Sequence, residues 1–326
     1  MNLTGAKDSR VFSIPPPDYY IILNTFFGVL LLIFLILGYV GNILTVVILN
    51  FETGLRVFTK TLLYSQVIWD TMLLFVPGSR YLLIILFEID IRNYNYFLKN
   101  IHFYLTYLSI DLGAWNLSAL SVERMCLVLW PTNVFVRSLR LKHGLLLTGV
   151  FIIIGSFLHT NIYFNTDYDL MVTGYVFLVF VNFIPFVVIF LSTSIIIYKI
   201  QNHIFKKSSK EASEKEMSSI FAIKMVIFTS VYYLVSAFPS GIILIFLYGS
   251  IPVFSDKHSK AISYNSTMTI FASNGAVKFY LYNLSTPHIR KVFKKIITRM
   301  KQGKCGVGKK GKNITQMSIN PDSVEN

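Results

Sequence analysis

Glu123 and Arg124 stand side by side near the end of an apolar stretch running from about Ile101 to Trp130, and Pro131 follows. Charge at that depth costs several kcal/mol unless it is paired or reaches water. Two readings are open for the pair: an arginine snorkelling to headgroups at the interface, or a buried ion pair kept for a function. Few other ionisable side chains interrupt the apolar stretches deeply. Asp70, Asp111 and Lys278 are the ones that do. Carboxylates and cations in that setting pair with one another, move ions or switch conformation.

The elements that carry these charges are set by composition. Hydrophobic residues make up 54% of the 326 and charged residues 14%, with mean hydropathy +0.58. That is too apolar for a soluble domain of this length. Seven stretches approach the roughly 20 apolar residues needed to cross a bilayer. They lie near Ile21–Asn50, Thr61–Phe87, Ile101–Trp130, Leu145–Tyr163, Val172–Ile200, Ala222–Tyr248 and Ala261–Tyr282. Continuous runs of Leu, Ile, Val and Phe without alternation indicate helices and exclude a barrel. The expected fold is an all-α membrane protein, a seven-transmembrane helix bundle over residues 21–283.

Residues 1–20 form the expected extracellular segment, with no cleavable signal peptide expected because Pro15-Pro16-Pro17 and charges replace an apolar core. Basic residues crowd the first, third and fifth connections and the tail, which predicts the N-terminus outside and the C-terminus inside. The net charge of +14 therefore points to anionic lipid headgroups and not to nucleic acid. Residues 284–301 are expected to form an amphipathic eighth helix on the inner membrane surface. Pro287 suits its first turn, Ile289, Val292, Phe293, Ile296 and Met300 share one face, and basic residues line the other. The tail, 302–326, is expected to be disordered.

Asn2 begins a glycosylation sequon, a short pattern that also arises by chance, as Asn116-Leu117-Ser118 inside a span illustrates. Cys305 is a palmitoylation candidate beyond the surface helix. With Cys126 at the inner end of the third segment, no disulfide is expected on the outer face. No His-x-x-x-His or nucleophile motif is present, so neither an enzyme, a metal site nor a cofactor is expected.

Glu123-Arg124-Met125 with Val128 and Pro131 resembles the arginine signature of rhodopsin-like (class A) G-protein-coupled receptors. Gly41-Asn42, Asp70, Pro185, Pro239 and the run from Asn274 to Tyr282 resemble further family markers in the right helices and order. The last run is similar to the variant found in invertebrate FMRFamide-type peptide receptors. The resemblance covers roughly residues 20–300. It implies a plasma-membrane receptor that passes the binding of an extracellular ligand, a short neuropeptide, to a heterotrimeric G protein. A chemosensory receptor of the same family is the near alternative. A seven-helix transporter or channel is the alternative from another class.

In the family scheme Glu123, Arg124, Pro239 and Tyr282 form the coupling switch, and Asn42, Asp70, Asn274 and Lys278 the buried polar network. Ligand contacts are expected from His102, Thr106, Tyr107, Asp167, Asp169, Phe238 and Tyr264. Thr106 stands where amine receptors carry an aspartate, which argues against a monoamine. Acidic and aromatic outer residues, including Glu88 and Asp90, suit a peptide carrying Arg and Phe. An interfacial aromatic belt is the other reading of the tyrosines.

The chain also departs from the family pattern. Lys99 replaces the disulfide cysteine, Phe238 precedes Pro239 with no tryptophan, Thr193 replaces a tyrosine, and Phe151 replaces the fourth-helix tryptophan. Gly113 stands where a serine commonly helps to hold sodium. Lys278 replaces an Asn or Asp facing the second-helix aspartate, so its ammonium is expected to pair with Asp70 where relatives hold sodium. Snorkelling toward the cytoplasm is the alternative.

Overall fold

The structure, a computed structural model, describes residues 17–51, 55–87, 89–160, 179–180, 183–204, 226–236, 239–243, 246, 257–285 and 298. Among them, all regular structure is helical. The long helices are α1 (Asp18–Phe51), α2 (Val57–Phe87), α3 (Tyr96–Leu129), α4 (Leu141–Leu158), α5 (Ile184–Ile204), α6 (Val226–Ile243, with 237 and 238 outside the described residues) and α7 (Lys257–Ser285). Four of these, α1, α2, α4 and α6, are long and apolar enough to cross a membrane. α3 and α7 fall below that apolarity for an internal reason. Their polar residues, Asp111, Asn116 and Ser121 on α3 and Thr267, Asn274 and Lys278 on α7, are buried in the protein. The apolar stretch of α5 is shorter, Ile184–Lys199.

The 34 residues of α1 rise about 51 Å, more than the roughly 30 Å of a hydrocarbon core. One stripe of the helix, Gly28, Leu31, Leu35, Gly38, Asn42, Thr45 and Leu49, is buried at spacings of three and four. Ile22, Phe26, Val29, Ile33, Ile36 and Ile43 are exposed, as expected of side chains meeting lipid. α1 packs chiefly on α7. A Cβ at Gly38 would lie 3.2 Å from the Ala276 Cα, so only a small residue allows that approach.

α3 is the central element, packed on α2, α4 and α5. Asn95 starts it: its side-chain oxygen accepts from the Leu98 N–H at 2.7 Å. α2 is interrupted by a π-helical turn, Leu74–Gly78, that contains Pro77. A proline inside a helix removes one N–H and displaces the preceding carbonyls, and an extra residue in the turn relieves the clash. Beyond the turn Arg80 and Tyr81 are buried.

The expected surface helix, the tail, Asn2, Glu88, Asp167, Asp169, Phe238 and Cys305 lie outside the described residues, as does the side chain of Tyr282. Thr298 alone of the 287–300 segment is described, and it is helical.

Candidate functional site

Four groups of ionisable side chains are buried or half-buried in the bundle: at the inner end of α3, between α2 and α7, between α3 and α4, and at the outer ends of α2 and α3.

At the inner end Glu123 and Arg124 are both buried. Arg124 Nε lies 3.7 Å from Glu123 Oε2, close enough for an ion pair but too far for a hydrogen bond. Glu123 is held from α2 instead. Thr59 Oγ1 donates to its Oε1 at 2.6 Å, and Arg56 Nη1 stands 3.8 Å from the same oxygen. Arg56 also donates through Nη2 to the Val136 carbonyl in the short helix Val134–Ser138. Arg124 Nε and Nη2 and Glu123 Oε2 are buried without hydrogen-bond partners. Such donors are costly to leave unmet in the interior.

Above this pair, α6 is fastened by side-chain hydrogen bonds. Ser121 and Ser230 hydroxyls lie 3.1 Å apart, Tyr232 donates to Ser273 at 2.7 Å, and Ser236 donates to Asn274 Oδ1 at 2.9 Å. Each such bond is worth about 1 kcal/mol net. Pro239, in α6, is exposed.

In the middle, Lys278 Nζ lies 2.5 Å from Asp70 Oδ1, with both side chains buried. Gln66 Nε2 donates to the same oxygen at 3.0 Å. Asn116 extends the chain, donating to Gln66 Oε1 at 3.0 Å and to the Leu62 carbonyl at 2.7 Å. Asn42 bonds to Thr71 at 3.0 Å and Asn274 accepts from Ser236, so neither is bonded directly to Asp70. α2 and α7 come close here because Gly275 lacks a side chain: a Cβ would stand 3.2 Å from the Asp70 carbonyl oxygen. Gln66 and Asn116 carry this network and were not singled out by their sequence context.

A second buried pair lies toward the outer half. His159 Nε2 is 2.6 Å from Asp111 Oδ2, and both side chains are almost wholly buried. The imidazole stacks on Tyr107, ring centres 5.6 Å apart, and Tyr107 in turn stacks on Phe103. His159 Nδ1 and Asp111 Oδ1 have no hydrogen-bond partner. An ionisable residue inside an apolar stretch was the available signal for His159.

Among the expected ligand contacts, His102 is engaged inside the fold. Its Nε2 lies 3.0 Å from the Val76 carbonyl in the π-turn. A carbonyl only accepts, so Nε2 carries the proton, and Nδ1 is left to accept from Thr106 Oγ1 at 3.4 Å. Tyr264 is half-buried against Tyr81, ring centres 5.4 Å apart. Tyr107, Tyr264 and Phe103 belong to one cluster with Tyr81.

Asp90 is committed as well. Oδ1 accepts from Arg80 Nε at 2.8 Å and from the Arg92 backbone N–H at 3.0 Å, and Oδ2 accepts from Arg80 Nη2 and from Arg92 Nη2 at 3.2 Å. Partial burial pushes this carboxyl up, but the hydrogen bonds from the two arginines outweigh it and hold it well below the usual carboxylate range. Asp90 is therefore not available to a ligand cation.

Among the described residues no cluster of His, Cys, Asp and Glu could hold a metal ion. Compared with protein-family models and with curated proteins, the chain matches none.

Proposed function

We propose that the chain is a seven-helix G-protein-coupled receptor of the plasma membrane, with its N-terminus outside, its C-terminus inside and α1–α7 as its spans. In this reading it couples an extracellular ligand, a short peptide, to a heterotrimeric G protein. The observation that carries the reading is the state of Arg124: buried at the inner end of α3, beside a carboxylate it does not hydrogen-bond, with two N–H donors unmet. Agonist would break the few weak bonds that hold α6, α6 would swing away, and the guanidinium would donate to the G protein. Glu123, held by Thr59 and Arg56, stays behind as the counter-charge.

Arg124→Ala is expected to abolish ligand-stimulated G-protein activation while surface expression stays near that of the wild type. A panel of short peptides with readouts for each G-protein class, applied to both forms, tests it. Signalling that survives in Arg124→Ala contradicts the proposal.

One observation favours a transporter as the second reading: Asp70–Lys278 and Asp111–His159 are paired ionisable groups inside the helices, as proton- or ion-coupled carriers use. Ligand-dependent G-protein activation without accumulation of labelled ligand in sealed vesicles separates the two.

A further inference from the structure

Among the described residues at the outer ends of α2 and α3, two arginines share one carboxylate. Arg80 and Arg92 share Asp90, and the formal sum of the three is +1 among the described residues. The Arg80 side chain is 3% exposed, which makes an excess cation there costly. Both oxygens of Asp90 are saturated, yet each guanidinium has five N–H donors and spends only part of them on it. Two aromatic faces support the cations: Arg80 lies 4.9 Å over the Tyr81 ring and Arg92 4.5 Å over the Phe103 ring. Tyr81 adds a hydroxyl that is buried with no hydrogen-bond partner. Arg80 stands close enough to His102 on α3 and to Tyr264 on α7 for its charge to act on both. Its neighbour His102 cannot relieve the excess, because its acceptor nitrogen faces Thr106.

We infer that Arg80 and Arg92 form a carboxylate-binding subsite, with Tyr81, Phe103 and Tyr264 as an aromatic wall for the apolar group next to that carboxylate. Asp90 orients the two guanidiniums by occupying one edge of each. A carboxylate on the free edges accepts charge-assisted hydrogen bonds and cancels the excess charge. The ligand is thus an anion at this end, either a peptide with a free C-terminal carboxylate or a small aromatic acid. The inference rests on the receptor reading only for the side of the membrane from which the ligand arrives.

Thermal melting of the purified full chain in nanodiscs of uncharged lipid tests it. The probes are 3-phenylpropionate against 3-phenylpropionamide, and the dipeptide Gly-Phe with a free carboxylate against its C-terminal amide. Both acids are expected to raise the melting temperature saturably, and the amides are not. Arg92→Gln, at the more accessible arginine, should weaken half-saturation about tenfold, the worth of one charge-assisted contact. Arg80→Gln strips a buried partner from Asp90 and endangers folding, so Tyr81→Phe serves as the second variant, with about a threefold weakening for one neutral hydrogen bond. Tighter binding of the dipeptide acid than of the small acid identifies a peptide terminus as the source, and the reverse order identifies a free acid. Amides that stabilise as well as the acids, or acids that bind Arg92→Gln unchanged, overturn the subsite. Acid binding in a protein that activates no G protein would remove the receptor reading and leave the subsite standing.

Discussion

Neutralising Lys278 alone is expected to cut folded, surface-exposed protein severely, as is neutralising Asp70 alone, while the double change Asp70→Asn with Lys278→Asn restores much of it. The pair is 2.5 Å apart with both side chains buried, so neither charge can turn to water when its partner is lost. An unpaired charge in such a site costs about 3–5 kcal/mol, whereas a neutral polar pair leaves an oxygen to accept from Gln66 Nε2. Fluorescence-detected size exclusion of the four forms measures the cycle directly. Additive losses, with no recovery in the double variant, would show that the two residues do not act together. The ammonium also occupies the place beside Asp70 that a cation would take, so ligand affinity should not change when sodium is replaced by a large organic cation.

His159→Leu is the next largest expected loss. It strands the Asp111 carboxylate, 2% exposed, without its only hydrogen-bond partner among the described residues, at a cost of about 3–5 kcal/mol if the charge is retained. Asp111→Asn keeps an oxygen and an amide opposite the imidazole and should cost no more than about 1.5 kcal/mol. Combining His159→Leu with Asp111→Leu removes both polar groups from an apolar surround that includes Leu108 and Leu112, and should recover most of the loss. Melting temperatures of the three variants in one detergent rank them. A His159→Leu variant as stable as the wild type would mean that the pair contributes nothing to the fold.

These two pairs differ in how far they could be read from the chain alone. Asp70 and Lys278 stand out because each interrupts an apolar run, and the cost of burying charge demands a partner. The same argument marks Glu123 and Arg124, but not Thr59 or Arg56, whose roles depend on how α2 packs on α3. His159 is hard to read from the chain alone because its partner is 48 residues away in α3.

The outer cluster was least legible. Periodicity carries α2 straight through Pro77, whereas the π-turn there adds a residue and buries Arg80 and Tyr81 beyond it. The short 3-10 turn Ile91–Asn93 then brings Arg92 onto the same carboxylate as Arg80. Asp90, an acidic outer residue in the sequence, is therefore already held by two arginines. α3 and α7 are less apolar than α1, α2, α4 and α6 for a related reason: their polar residues are buried in the protein.

The central claim is that the chain activates a heterotrimeric G protein through Arg124. Nucleotide exchange on purified G proteins measures this most directly, with the full chain in lipid nanodiscs, each of the four G-protein classes in turn, and the peptide and carboxylate panels added. The account predicts that at least one class exchanges nucleotide severalfold faster than with empty nanodiscs, and that Arg124→Ala returns the rate to the empty-disc value. Exchange no faster than with empty nanodiscs for every class and every compound, from protein that melts cooperatively, would contradict it.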